Sequence, residues 1–108
     1  MTEQDRSVFV VVDFWRVRPG KRDALEQLLI ESGPKFRRQP GVLSVDFTRL
    51  DDDPNRYLVV FRYQDAAARE AFVATEELKT TLARLSKLWD LDSPVHTGSP
   101  IERSAAAS

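Results

Sequence analysis

The side chain whose setting most suggests chemistry is Asp13, the only acid in the most hydrophobic stretch of the chain, VFVVVDFW at positions 8–15. A carboxylate among β-branched and aromatic residues must be ion-paired, hydrogen-bonded or shifted in its pKa. Such acids are enriched at functional sites, although structural ion pairs produce the same pattern. Two interpretations therefore stay open: a catalytic group, or a structural acid paired with an arginine such as Arg49 or Arg62.

Four aromatic side chains are candidates to wall a flat aromatic ligand, because small-molecule pockets are mostly apolar with few polar groups. They are Trp15, Tyr63, Phe72 and Trp89. Tyr63 is the most informative of them, since its hydroxyl needs a partner when buried and could orient a substrate oxygen or donate a proton. For each ring the alternative is an ordinary place in the core.

His96 is the only histidine, and histidine is the only side chain whose unperturbed pKa lies near neutrality. It lies in the segment PVHTG at positions 94–98, where a terminal strand could carry it to a partner subunit and to a substrate. The alternative is a surface residue in a segment bounded by proline and glycine.

The residue types leave few other options. Cysteine is absent, which excludes disulfides, thiolate nucleophiles and cysteine metal ligands, and one histidine excludes a multi-histidine metal site within one chain. The triplet at 51–53 lacks the ligand spacing of a calcium loop and is predicted to be a solvated turn. We therefore predict no metal site. The pair Arg37 and Arg38 is predicted at the surface, where it could steer an anionic substrate.

The composition limits the partners. With 108 residues the chain is long enough for one domain, and 16 basic against 17 acidic side chains leave no excess charge for nucleic acid. No apolar run approaches a membrane span, and residues 1–6 do not resemble a signal peptide, so we expect a cytoplasmic protein. The predicted organisation is a flexible N-terminus at 1–7, a domain at 8–102 and a disordered tail at 103–108.

Asp13 belongs to the first of the elements that alternate along the chain. The pattern predicts strands at 8–17, 42–50 and 56–63, with a first helix from Lys21 to about Ser32 that ends or kinks at Gly33-Pro34. Asp65 is a plausible N-cap of a helix that runs through Ala74. A second helical run places Leu78, Leu82, Leu85 and Trp89 on one stripe, and residues 95–101 are predicted to add a short last strand.

The resulting order is β-α-β-β-α-β, a ferredoxin-like α+β fold whose helices cover one face of an antiparallel sheet. The first strand is nevertheless apolar on both faces, with Val10, Val12 and Phe14 on the side opposite Val11 and Trp15. A bare face this apolar is unusual for a monomer. We therefore predict a homodimer in which two sheets meet to form an α+β barrel, rather than a face covered by a loop or tail.

The order and spacing of several short motifs resemble the antibiotic biosynthesis monooxygenase family of dimeric α+β barrels. The motifs are VRPG at 17–20, PGV at 40–42, and RYLVV at 56–60 followed by an aromatic residue and QD at 64–65. The resemblance runs from about residue 8 to residue 89. It implies a cofactor-independent oxygenase that uses dioxygen to convert an aromatic, polyketide-like substrate to a quinone, with Asp13 as base on the helix side of the sheet.

Three departures from the family pattern keep other functions open. Tyr63 stands where the family often has a tryptophan, and Phe72 where it often has a histidine. The haem-ligand position of haem-degrading relatives falls near Thr81, which cannot replace a histidine ligand. Haem degradation is therefore disfavoured, unless His96 supplies the ligand. A cyclase or isomerase, or a non-catalytic ligand-binding dimer, remain alternatives.

Overall fold

A five-stranded antiparallel sheet organises the molecule, in a computed structural model that describes residues 8–92 and 94–102. Its order is β2-β3-β1-β4, and β5 also pairs with β1. The elements are β1 (Phe9–Val17), α1 (Arg22–Arg37), β2 (Val42–Arg49), β3 (Arg56–Tyr63), α2 (Ala66–Val73), α3 (Glu76–Leu85), β4 (Trp89–Leu91) and β5 (His96–Gly98). This confirms the predicted ferredoxin-like fold. The predicted flexible N-terminus (1–7) and disordered tail (103–108) lie outside the described residues.

The central strand β1 positions Asp13 against two different neighbours. On one side Asp13 is opposite Val59 of β3, which is in turn opposite Phe47 of β2. On the other side β4 pairs with residues 15–17 of β1 and β5 pairs with residues 10–12. Asp13 thus lies level with the break between the two short terminal strands. Where the sequence predicted one last strand at 95–101, the structure has two strands of three residues each.

Alternation along β1 places its odd-numbered residues on the helix side, as predicted. Val11, Trp15 and Val17 are buried there, whereas the even-numbered residues Val10 and Val12 are only half-buried on the bare side. Successive side chains of a strand point to opposite faces, so Asp13 shares the helix side with Val11 and Trp15.

Of the two outcomes predicted at Gly33-Pro34, an end or a kink, the end is wrong, because α1 continues through both residues to Arg37. A proline inside a helix removes one backbone hydrogen bond and costs roughly 3 kcal/mol. The extra turn, however, buries Phe36 to 2% exposure and sets its ring edge-on to Phe72 at 5.3 Å. Burying a phenylalanine contributes about 1.5–3 kcal/mol, which is enough to offset much of that cost.

The helices after β3 begin as expected but end earlier. Asp65 caps α2, since its side chain accepts a hydrogen bond from the Ala68 N–H at 2.8 Å. The predicted helical stripe through Leu82 and Trp89 is wrong: α3 ends at Leu85, Leu82 is 43% exposed and Trp89 begins β4. The reason is tertiary, because pairing with β1 and stacking on Trp15 take Trp89 into the sheet layer.

Within the described part of the chain, no helix combines the length and the apolar character needed to cross a membrane. The core lies between the sheet and the helices, and none of the helices formed by residues 8–92 and 94–102 covers the opposite face of the sheet. That bare face presents the half-buried side chains of Val10, Val12, Phe14, Leu58 and Val60.

Candidate functional site

Asp13 lies on the helix side of β1. It pairs with neither Arg49 nor Arg62, the two arginines expected as partners if its role were structural. Arg49 pairs instead with Glu26 at 3.3 Å, and Arg62 pairs with Asp46 at 3.5 Å. The Asp13 side chain is half-buried, and its Oδ1 atom is fully enclosed without a hydrogen-bond partner. A buried carboxylate oxygen without a partner is costly, so this acid needs another explanation than an ion pair with either arginine.

The surroundings of Asp13 favour its protonated form more than water does. Burial raises the pKa of the carboxyl above its ordinary value of 3.8, while the Trp15 indole and the charges of Arg69 and His96 lower it by less. The indole N–H approaches the carboxyl, but Nε1 of Trp15 is itself buried without a partner of hydrogen-bond geometry. An acid with a raised pKa is a better base once ionised, which suits proton abstraction.

Tyr63 ends β3 on the same face of the sheet as Asp13, at 3% exposure. Burial raises the pKa of its phenol strongly, Arg69 opposes this and the charge of Asp13 adds to it. The phenol therefore stays protonated and can act as a donor but not as a base. In the pairing of β1 with β3, Tyr63 is opposite Phe9, whereas Asp13 is opposite Val59. The two predicted catalytic residues therefore lie four positions apart along the strands, on the same face of the sheet but not directly opposite each other.

Arg69 is the residue that the sequence prediction missed. It lies half-buried on α2, and its charge acts on both Asp13 and Tyr63. A guanidinium whose charge reaches both a carboxyl and a phenol can hold an anionic oxygen of a substrate. The sequence gives only a weak signal for it: Arg69 is the one basic residue of the helix AAAREAFV, which also carries the acid Glu70.

The predicted aromatic walls belong to one continuous network of rings. Trp15 stacks on Trp89 at 4.6 Å at one end, and Tyr63 contacts Phe72 at 5.9 Å at the other. The two ends are joined through Phe47 and Phe61, whose centroids are 6.2 Å apart. Phe72 is only 2% exposed, so it packs in the core as its alternative interpretation predicted.

His96 lies apart from these residues. It is opposite Val12 in the pairing of β5 with β1, which places it on the bare face of the sheet, and it is exposed. There it lines a small cavity of about 320 Å³ together with Arg62. The structure therefore does not bring His96 to the same side of the sheet as Asp13.

The structure also locates the residues considered for metal and haem. Among residues 8–92 and 94–102, no three acids or histidines are arranged to hold a metal ion. The loop at 51–53 is a turn in which Asp53 pairs with Arg16 at 3.1 Å. Thr81 is buried and its hydroxyl donates to the Glu77 carbonyl oxygen at 2.9 Å, so the haem-ligand position holds a satisfied, non-ligating side chain.

Comparison with known proteins agrees with this fold. The family described as "antibiotic biosynthesis monooxygenase" matches residues 7–84. No curated protein gives a significant match to the sequence. A proposed antibiotic biosynthesis monooxygenase from Chloroflexus aurantiacus has a similar structure, with TM-score 0.79, 23% identity, and 92% of this chain and 98% of that chain covered.

Two further structures extend the comparison. A proposed monooxygenase of the same name from Nitrosomonas europaea gives TM-score 0.74 at 18% identity, covering 87% of this chain and 88% of that one. A conserved protein from Bacteroides thetaiotaomicron, titled a possible oxidoreductase, gives TM-score 0.78 at 14% identity, covering 87% of this chain and 98% of that one. At these identities the structural likenesses establish the fold.

Proposed function

Because the chain belongs to the antibiotic biosynthesis monooxygenase family, we propose that it oxygenates an aromatic, polyketide-like substrate with Asp13 as the base. One observation supports this choice above others: Asp13 is a half-buried acid on the helix side of the sheet that pairs with neither Arg49 nor Arg62 and has one oxygen without a partner. A substrate hydroxyl or activated C–H would approach the part of this side chain that burial leaves accessible. The comparison shows membership of the family, and the oxygenation, the substrate type and the base are our inference.

The proposed reaction needs only the substrate, dioxygen and a base. Asp13 takes a proton from an anthrone-like CH₂ carbon, and the resulting anion passes one electron to dioxygen. Recombination of the radical with superoxide forms a carbon–oxygen bond, and protonation gives a hydroperoxide. Loss of the second hydrogen of that carbon with cleavage of the O–O bond yields the quinone carbonyl and one water. A raised pKa suits Asp13 to both proton transfers.

The neighbouring side chains have roles that follow from their charges. Arg69 would hold the anionic oxygen of the deprotonated substrate, and the protonated phenol of Tyr63 would donate to it. The stacked pair of Trp15 and Trp89 would form an apolar wall beside Asp13. Such walls exclude water from a carbanion, which would otherwise be reprotonated before it meets dioxygen.

We further propose that a second copy of the chain covers the bare face of the sheet. Five apolar side chains from β1 and β3 are only half-buried there in the single chain. A contiguous apolar face of this kind marks an interaction surface. His96 lies on this face, so a role for it in substrate binding would require the partner subunit.

A second candidate function is a ligand-binding dimer without catalysis. Its support is the tight packing of Tyr63 and Phe72, at 3% and 2% exposure, which leaves these two rings little surface to offer a substrate. The two functions differ in whether dioxygen is consumed.

The test is dioxygen consumption with anthrone as substrate, by oxygen electrode and by absorbance of the quinone product. Asp13→Asn should lower kcat/KM by about 10²–10⁴-fold, the usual loss when a general base is removed. Asp51→Asn removes an exposed acid from the loop before β3 and should have no effect. Equal rates for wild type and Asp13→Asn would remove Asp13 from the mechanism, and no oxygen uptake by wild type would favour the ligand-binding dimer.

A further inference from the structure

Besides the cavity next to His96, a larger cavity opens on the helix side of the sheet, at the edge strand β2 and away from Asp13. It has a volume of about 610 Å³ and lies between the C-terminal half of α1 and strands β2 and β3. This volume is typical of small-molecule sites. Its apolar wall includes Leu29, Val45 and Phe47, and Asp13 and Tyr63 take no part in it. The cavity is therefore distinct from the site of the proposed oxygenation.

The polar wall of this cavity contains one carboxylate that is already engaged through one of its oxygens. Glu26 Oε2 accepts a hydrogen bond from the Tyr57 hydroxyl at 2.6 Å and pairs with Arg49 Nη1 at 3.3 Å. Burial, and then Glu26, raise the pKa of the Tyr57 phenol, which keeps it a donor. The charge of Arg49 is thus compensated, and that of Asp46, the other acid of the wall, is engaged by Arg62.

Arg37 is the cation of the cavity wall that lacks such compensation. It is exposed on the last turn of α1 and forms no ion pair with an acid of the described chain. A guanidinium offers a planar fork of donors that matches a carboxylate in a bidentate geometry. The wall therefore combines an apolar surface with one uncompensated positive charge.

The helix is built from unfavourable residues where it borders this cavity. Gly33 and Pro34 both line it, and both are poor helix formers in a helix interior. A Cβ atom at position 33 would come to 3.2 Å from Arg37 Nη1 and 3.7 Å from the Phe47 ring. The missing side chain thus lets the Arg37 guanidinium lie back over the helix beside Phe47. Local rules broken in this way are expected at functional sites.

We propose that this cavity binds a small hydrophobic carboxylate, whose anionic end pairs with Arg37 and whose apolar body packs on Leu29, Val45 and Phe47. Charge complementarity selects this class, because the uncompensated charge of the wall is positive and the remaining surface is apolar. The proposal does not depend on the reaction at Asp13, and it can be tested without dioxygen.

The probe is 2-naphthoate, titrated into the full chain and followed by amide chemical shifts, with neutral 2-naphthamide as its isostere. The largest shifts should fall in residues 29–37 and 45–49. Arg37→Gln should weaken 2-naphthoate binding about tenfold, the effect of losing one charged hydrogen-bonded pair, and leave 2-naphthamide unchanged. The matched control is Arg38→Gln, which removes the adjacent exposed arginine outside the cavity wall and should change neither affinity.

A second variant tests the cavity without removing a charge. Gly33→Ala adds a methyl group 3.2 Å from Arg37 Nη1, which makes the guanidinium shift by a few tenths of an ångström, so the helix should gain stability while 2-naphthoate binding weakens less than in Arg37→Gln. Equal losses in Arg37→Gln and Arg38→Gln would overturn the proposal, as would equal affinity for the acid and the amide. Shifts confined to the bare face, or shifts at 29–49 that follow protein concentration instead of ligand, would also overturn it.

Discussion

Two carboxylates on the helix side of this domain have opposite surroundings. Glu26 on α1 has one oxygen shared by a tyrosine hydroxyl and an arginine, whereas Asp13 on β1 has an enclosed oxygen with no partner. A satisfied carboxylate stabilises the structure that satisfies it, and an unsatisfied one lowers stability until something binds. The difference separates an acid that serves the fold from an acid available for chemistry.

The largest effect on stability should come from removing the hydrogen bond that Tyr57 donates to Glu26. Tyr57→Phe removes the donor to Glu26 from a residue that is almost completely buried. A hydrogen bond to a charged group contributes roughly 1.5–3 kcal/mol, so we expect the unfolding free energy to fall by about 2 kcal/mol. Urea denaturation at pH 7 measures this loss. An unchanged midpoint would mean that Glu26 is not structural.

Replacing Asp13, the carboxylate with an unpartnered oxygen, should instead raise the unfolding free energy, by a smaller amount. Asp13→Asn removes a charge that burial disfavours, and we expect a gain of about 1 kcal/mol at pH 7. Because the folded pKa of Asp13 lies above 3.8, the contribution of this group to stability falls as pH rises from there through the folded value. The gain should therefore be absent near pH 3.8 and complete above the folded pKa.

Urea midpoints of Asp13→Asn at several pH values test this, with Asp51→Asn as the control that should show no such dependence. A loss of stability in Asp13→Asn at pH 7 would indicate that Asp13 has a structural partner after all, and the contrast with Glu26 would disappear.

The smallest effect concerns Arg69, whose charge lowers the pKa of Asp13. Arg69→Gln removes this influence, so the pKa of Asp13 should rise further and the acid limb of the kcat/KM profile should move to higher pH. Arg84→Gln, which changes an exposed arginine of α3, should leave the profile in place. An identical acid limb in Arg69→Gln would show that Arg69 does not act on the base.

Local patterns were sufficient for the first three strands and for the face on which Asp13 lies, because alternation in a strand directly determines the side of each residue. They failed where distant contacts decide. The burial of Phe36 carries α1 past Pro34, and stacking on Trp15 draws Trp89 out of a helical stripe.

The site was predictable only in part, for the same reason. Asp13 is conspicuous in the sequence because its neighbours are apolar. Arg69 and Glu26 lie on amphipathic helices where charged residues are ordinary, and only the fold shows which of them meets Asp13, Tyr63 or Tyr57. His96 was conspicuous as a residue type, yet the register of β5 places it on the other face.

The apolar character of both faces of β1 has a consequence for how this strand finds its alignment. In an amphipathic strand a slip by one residue is prevented because it would expose the hydrophobic face. In β1 such a slip would exchange one set of apolar side chains for another. Arg16 is one residue that distinguishes the two alignments, since it pairs with Asp53 at 3.1 Å and with Asp92 at 3.4 Å in the observed one. The alignment of the strand thus depends on its few charged residues as well as on its apolar pattern, and the position of the buried acid depends on that alignment.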